Sequence, residues 1–112
     1  MTPNDFRRIA LGMEGAVEGA HMAHPDFRVN GRIFATISPD AKSGMVSLTP
    51  EQQQEFIRAD PATFVPAAGA WGRGGSTMVR LATADADTVG EAMTLAWQAT
   101  VKKQPVSRKA RR

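Results

Sequence analysis

Asn30-Gly31 stands between two short apolar runs, Phe27-Arg28-Val29 and Arg32-Ile33-Phe34-Ala35. Asn-Gly is the dipeptide that most readily takes positive φ at both centres of a type I′ turn, whose twist suits paired strands. The reading is a β-hairpin with an arginine on each arm. In a two-residue hairpin Val29 faces Arg32 and Arg28 faces Ile33, so neither face is cleanly apolar. Either both sides of the pair are partly covered, or the turn is not a plain two-residue loop.

Helix and strand signals extend from this hairpin in both directions. Thr2-Pro3-Asn4-Asp5 supplies an N-cap, a first-turn proline and an acid near the positive end of a helix dipole. Phe6, Ile9, Ala10 and Met13 then recur at helical spacing, and Gly12 and Gly15 end the helix. Ala16 to Met22 reads as a strand weakened by Gly19, and Met45 to Leu48 as another. Thr49-Pro50-Glu51-Gln52 starts a second helix, which stops before Asp60-Pro61. Phe64-Val65-Pro66 leads into a glycine-rich loop, Ala67 to Gly75, and Ser76 to Ala82 reads as the last strand. Asp85 or Asp87 caps a final helix with a stripe at Val89, Met93, Ala96, Trp97, Thr100 and Val101. The order α, three to four β, α, β, α describes an α+β domain, an antiparallel sheet with helices packed on one face. Trp97 is expected to bury against that sheet, its loss costing roughly 3–5 kcal/mol.

Length and charge bound the function. The 112 residues make one domain without cysteine, which removes disulfides and thiolate chemistry and suits a reducing cytoplasm. No apolar run reaches membrane-span length, so a soluble, cytoplasmic monomer is expected. The net charge of +3 hides an asymmetry. Lys102, Lys103, Arg108, Lys109, Arg111 and Arg112 fall in the last eleven residues, leaving eight basic against eleven acidic residues in the body. Residues 104–112 carry little apolar content to offset ordering entropy and read as a disordered basic tail after a domain of residues 1–103.

Several fragments together resemble the MmcQ/YjbR family of small bacterial proteins. Ala10 to Gly19 looks like that family's first-helix exit, and His24 to Ala35 like its signature strand pair. Trp71-Gly72-Arg73-Gly74-Gly75-Ser76-Thr77 followed by Val79-Arg80-Leu81 looks like a third block, and Ala96-Trp97 falls where the last helix has a similar pair. Many relatives carry an aromatic residue where Ser76 stands. The resemblance implies a fold similar to the bacterial frataxin homologue. It also implies a DNA-binding label that rests on architecture, with no enzymatic chemistry to carry over.

Weighed singly, the polar residues name no reaction. His21 and His24, the only histidines, would point to opposite faces of one strand, so no shared metal ion is expected. Glu14 and Glu18 sit near glycine-rich turns and read as solvated. Gly72 to Gly75 opens onto a strand, not a helix, so it is no phosphate cradle. Trp71 is either a lid over the edge of the core, the favoured reading, or a stacking platform, and Met13, Met22, Met45, Met78 and Met93 are expected to fill the core. Arg28, Asn30, Arg32, Arg73 and Arg80, with Arg108, Lys109, Arg111 and Arg112 of the tail, are the candidate nucleic-acid contacts. The reading is a non-enzymatic binding module without metal or cofactor, its partner DNA at low specificity. The alternative is a small-molecule or protein-partner domain using the Trp71 loop and the groove beside it. Arginines gathered on one face favour the first; scattered and paired, they favour the second.

Overall fold

Both N-terminal capping patterns form as their residues dictate. Thr2 accepts the Asp5 backbone N–H while the Asp5 carboxylate accepts that of Thr2, opening α1 (Pro3–Leu11). Thr49 and Gln52 repeat the arrangement at α2 (Pro50–Ala59). Asp85 caps α4 (Ala86–Val101), accepting the Thr88 N–H at 2.8 Å. The computed structural model describes residues 1–22 and 24–103. The expected tail, with Arg108, Lys109, Arg111 and Arg112, lies outside the described residues. No described helix is long and apolar enough to cross a membrane.

Six antiparallel strands form one sheet: β1 (Val17–His21), β2 (His24–Val29), β3 (Arg32–Ile37), β4 (Ser43–Ser47), β5 (Phe64–Pro66) and β6 (Ser76–Arg80). Their order is β1-β2-β3-β4-β6-β5. The expected loop from Phe64 to Gly75 is more structured than its composition suggests. Its first residues pair with β6 as a three-residue edge strand, where Pro66 is tolerated. Its middle winds into one short helix, α3 (Gly69–Arg73).

The central hairpin resolves the mixed-face problem. Asn30 and Gly31 take φ of 55° and 79°, and Val29 pairs with Arg32 and Arg28 with Ile33. The register then slips, so that Phe27 pairs with Ala35 and Phe34 is the extra residue of a β-bulge. The bulge lets consecutive Phe34 and Ala35 both bury completely.

Helices α1 and α4 cross β2, β3 and β4, and α2 packs on β5 and β6. Phe6 of α1 tilts against Phe27, and Phe56 of α2 against Phe64. On α4 the buried stripe is Val89, Ala92, Met93, Ala96 and Thr100. Trp97 and Val101 sit on its shoulder, only partly buried, and the Trp97 indole donates to the Glu14 carbonyl at 2.8 Å. The expectation for Trp97 is thereby revised. Met93→Ala should cost about 2–5 kcal/mol as a fully buried truncation, and Trp97→Ala less. Thermal melts of the two variants rank them, and a larger loss at Trp97 would contradict the packing.

Asp5, Asp26, Asp40 and Asp85 all have carboxyls held below their ordinary value by hydrogen bonds to the charged form. Depressed folded-state values contribute stability above the unfolded range, lost as pH falls through the folded one. The urea midpoint should therefore drop as pH falls below about 4. An unchanged midpoint between about pH 5 and pH 3 would contradict these bonds.

Candidate functional site

Cross-strand partners share a face of the sheet. The row Phe27, Ala35, Val46 and Thr77 faces the helices. The neighbouring row runs Gly19, Asp26, Thr36, Met45 and Met78 and faces the other way, where no long helix packs. His21 paired with His24, and Arg28 paired with Ile33, flank it on that same side.

Asp26 is the hub of this face, and it is fully buried. Arg28 donates to it twice, Nε to Oδ1 at 2.8 Å and Nη2 to Oδ2 at 3.1 Å. His21 Nδ1 lies 2.6 Å from Oδ2. The Arg28 hydrogen bonds hold the Asp26 carboxyl below its usual range against the opposing effect of burial, and His21 adds to them. An ionised carboxylate only accepts, so Nδ1 carries the proton and Nε2 is the free nitrogen of His21. Gly19 lies opposite Asp26, and a Cβ there would stand 3.0 Å from Oδ1. The glycine that weakens the strand by pattern makes room for the carboxylate.

The two histidines do not share a strand. The chain reverses between them, with Met22 at φ 49°, and they close the β1–β2 hairpin as direct partners. Their rings lie 4.5 Å apart on one face, so the ground for separating them does not hold. His24 Nδ1 is buried without a hydrogen-bond partner. Among the described residues no group of three or more His, Cys, Asp or Glu could hold a metal ion.

Beside this cluster runs a groove of about 400 Å³ lined by His21, His24, Thr36, Met45 and Trp71. It continues past Ile33, Ser47, Trp71 and Ser76 into an adjoining hollow of about 420 Å³ that ends at Lys103. Trp71 borders both. It is 77% exposed, not the core lid its sequence context suggests. Its mount is nevertheless tied to α2 and the sheet. Gln53, buried on α2, donates from Nε2 to the carbonyls of Gly72 and Ser76, at 3.0 and 2.9 Å. A Cβ at Gly72 would collide with the Ala67 carbonyl, and one at Gly75 with that of Leu48. The loop glycines are close-approach positions that press α3 against the sheet. Of the methionines, Met93 is in the core, Met45 lines the groove and Met22 is 87% exposed.

The candidate arginines occupy separate places. Arg28 is committed to Asp26, and Asn30 is at the exposed hairpin turn. Arg32, paired with Val29, points to the helix side of the sheet, away from Arg28. Arg73 is exposed at the end of α3. Arg80 pairs with Ser43 at the opposite end of the sheet and donates to the Ala62 carbonyl at 2.7 Å. A wider trough of about 780 Å³ lies on the helix side, between α2 and α4. Its ionisable lining is Glu55, Asp87 and Glu91, all exposed, and no buried polar group floors it.

A family model described as YjbR matches residues 11–99. No curated protein matches. Among solved structures, the chain is similar to a crystal structure of Deinococcus radiodurans protein DR2400, whose domain is described as DUF419. Identity is 21%, the TM-score is 0.76, and the match covers 97% of this chain and 86% of that one. The likeness shows a shared α+β fold.

Proposed function

The chain belongs to the YjbR family, and we propose that it is a non-enzymatic binding module taking a small ligand into the Trp71 groove, on the sheet face opposite the long helices. The observation that carries this reading is Trp71 itself. An indole 77% exposed beside a groove leaves most of its apolar surface in water, and a ligand that covers it gains hydrophobic stabilisation. The groove beside it has the volume of small-molecule sites and the usual mixture of apolar walls with a few fixed polar groups. The His21–Asp26 pair has the form of a base and its orienter, while the Ser47 hydroxyl turns to Met45 Sδ at 3.8 Å.

A thermal-shift screen of small aromatic fragments tests the reading. Trp71→Ala removes an exposed side chain and should change stability by no more than about 0.5 kcal/mol. Fragments that raise the melting temperature of the wild type should lose that effect in the variant. Shifts of equal size in both proteins would contradict the assignment.

Low-specificity DNA binding, which the family resemblance implies, would draw on different residues. The body arginines lie on separate surfaces of a domain richer in acids than bases, which leaves Arg108, Lys109, Arg111 and Arg112 as its main carriers. Replacing those four by serine should reduce the salt slope of duplex binding by roughly one for each phosphate no longer neutralised. Arg73→Ala with Arg80→Ala should leave the slope unchanged. Fluorescence anisotropy at two salt concentrations reads both, and a slope lowered by the second pair would restore a role for the body.

A further inference from the structure

We infer that the ligand of the groove is an aromatic carboxylate, its ring against Trp71 and its carboxylate on His21 Nε2. This inference rests on the groove reading above and adds the ligand's charge and chemical class.

The charge follows from what lines the groove. Among the described residues its only ionisable side chains are His21 and His24, with Lys103 at the end of the adjoining hollow. Each of these can only be neutral or positive. Asp26, the one acid of the cluster, is fully buried, and both its oxygens are taken by Arg28 and His21. A cationic ligand would find no exposed counter-charge here among the described residues. The helix-side trough, with its three acids and no base, has the opposite preference.

The contact atom follows from the tautomer. Nδ1 of His21 is held by Asp26, which fixes the ring and leaves Nε2 as the nitrogen free for a ligand. Asp26 is a positioning residue. Proton uptake turns Nε2 into a donor, and a carboxylate then receives a charge-assisted hydrogen bond. Thr36 adds a hydroxyl along the same wall. One imidazolium at the contact atom, beside a neutral hydroxyl, suits a monoanion. A phosphate dianion calls for a fork or a backbone nest, and the Arg28 fork is already spent on Asp26.

The bond should be pH-dependent because it needs the proton on His21. The groups around that imidazole are few. Asp26 and Arg28 are bound to each other, the His24 ring lies tilted against it with centroids 4.5 Å apart, and Glu18 is paired with Arg7 of α1 from the other face of β1. Carboxylate binding should therefore weaken as pH rises and that proton is lost.

Isothermal titration with four naphthalene probes tests the proposal: 2-naphthoate, 2-naphthamide, 2-naphthyl phosphate and 2-naphthylmethylammonium. At pH 6 the naphthoate should bind about tenfold more tightly than the amide. Its advantage should shrink at pH 8, while amide affinity stays constant. His21→Gln should abolish the advantage, and an unchanged far-ultraviolet circular dichroism spectrum should report an intact fold. Equal affinity for naphthoate and amide, tighter binding of the phosphate or the ammonium, or an advantage that survives His21→Gln would each overturn the carboxylate assignment and leave the groove reading standing. Binding of none of the four would overturn both.

Discussion

Gly75→Ala is expected to cost about 2–6 kcal/mol and to abolish ligand binding with it. Two effects add. Gly75 sits at φ 114°, a conformation that L side chains rarely adopt. A methyl group there would also run into the Leu48 carbonyl, a backbone atom that cannot rotate away. The two together are a large fraction of the roughly 5–15 kcal/mol that holds a domain folded. Gly90→Ala is the contrasting case. Gly90 lies inside α4 with open space around its Cα, so alanine should stabilise by up to about 1 kcal/mol. Urea unfolding of the two variants should move in opposite directions. A Gly75→Ala midpoint equal to wild type would mean that α3 and Trp71 are not pressed on the sheet as described.

Phe6→Ala is expected to cost about 3–5 kcal/mol. Phe6 is fully buried, and its ring lies over Gly44 of β4, where a Cβ would enter it. It also tilts against Phe27, with centroids 6.5 Å apart. It is the wedge between α1 and the middle of the sheet. Neighbouring groups on two strands fix the cavity's shape, which limits collapse after truncation. The variant should be largely unfolded well below the wild-type melting temperature. A loss under about 1 kcal/mol would mean that α1 is not docked through this ring.

The fold was legible where local chemistry and pattern agree. Thr2, Thr49 and Asp85 act as caps, and Asn30-Gly31 turns as its residues require. Phe34 was not legible as a bulge, because a period-two reading has no place for an extra residue. Phe64-Val65-Pro66 was hidden by its proline, which is compatible with an edge strand but equally with a loop. Trp97 was misplaced by about one position on α4, where small residues, Ala92 and Ala96, form the actual contact line.

The site was partly written in the chain. His24, Asp26 and Arg28 alternate with Pro25, Phe27 and Val29, so period-two reasoning places the three polar groups on one face. What hid the cluster was the turn between His21 and His24. With Met22 and no glycine there, it lacks the composition of a hairpin loop, and the two histidines read as neighbours on a single strand. The exposure of Trp71 was only one of two readings that its loop allowed, and the disfavoured one. It depends on Gln53 reaching from α2 to two carbonyls, a contact between segments far apart in sequence.

The most direct test of the groove as the ligand site is chemical-shift mapping on the ¹⁵N-labelled full chain with 2-naphthoate. The structure predicts perturbations at the Trp71 indole N–H and at the amides of His21, Thr36 and Ser47, with Glu55, Glu91 and Leu95 of the helix-side trough unmoved. Perturbations centred on the trough, with the Trp71 indole unmoved, would contradict it.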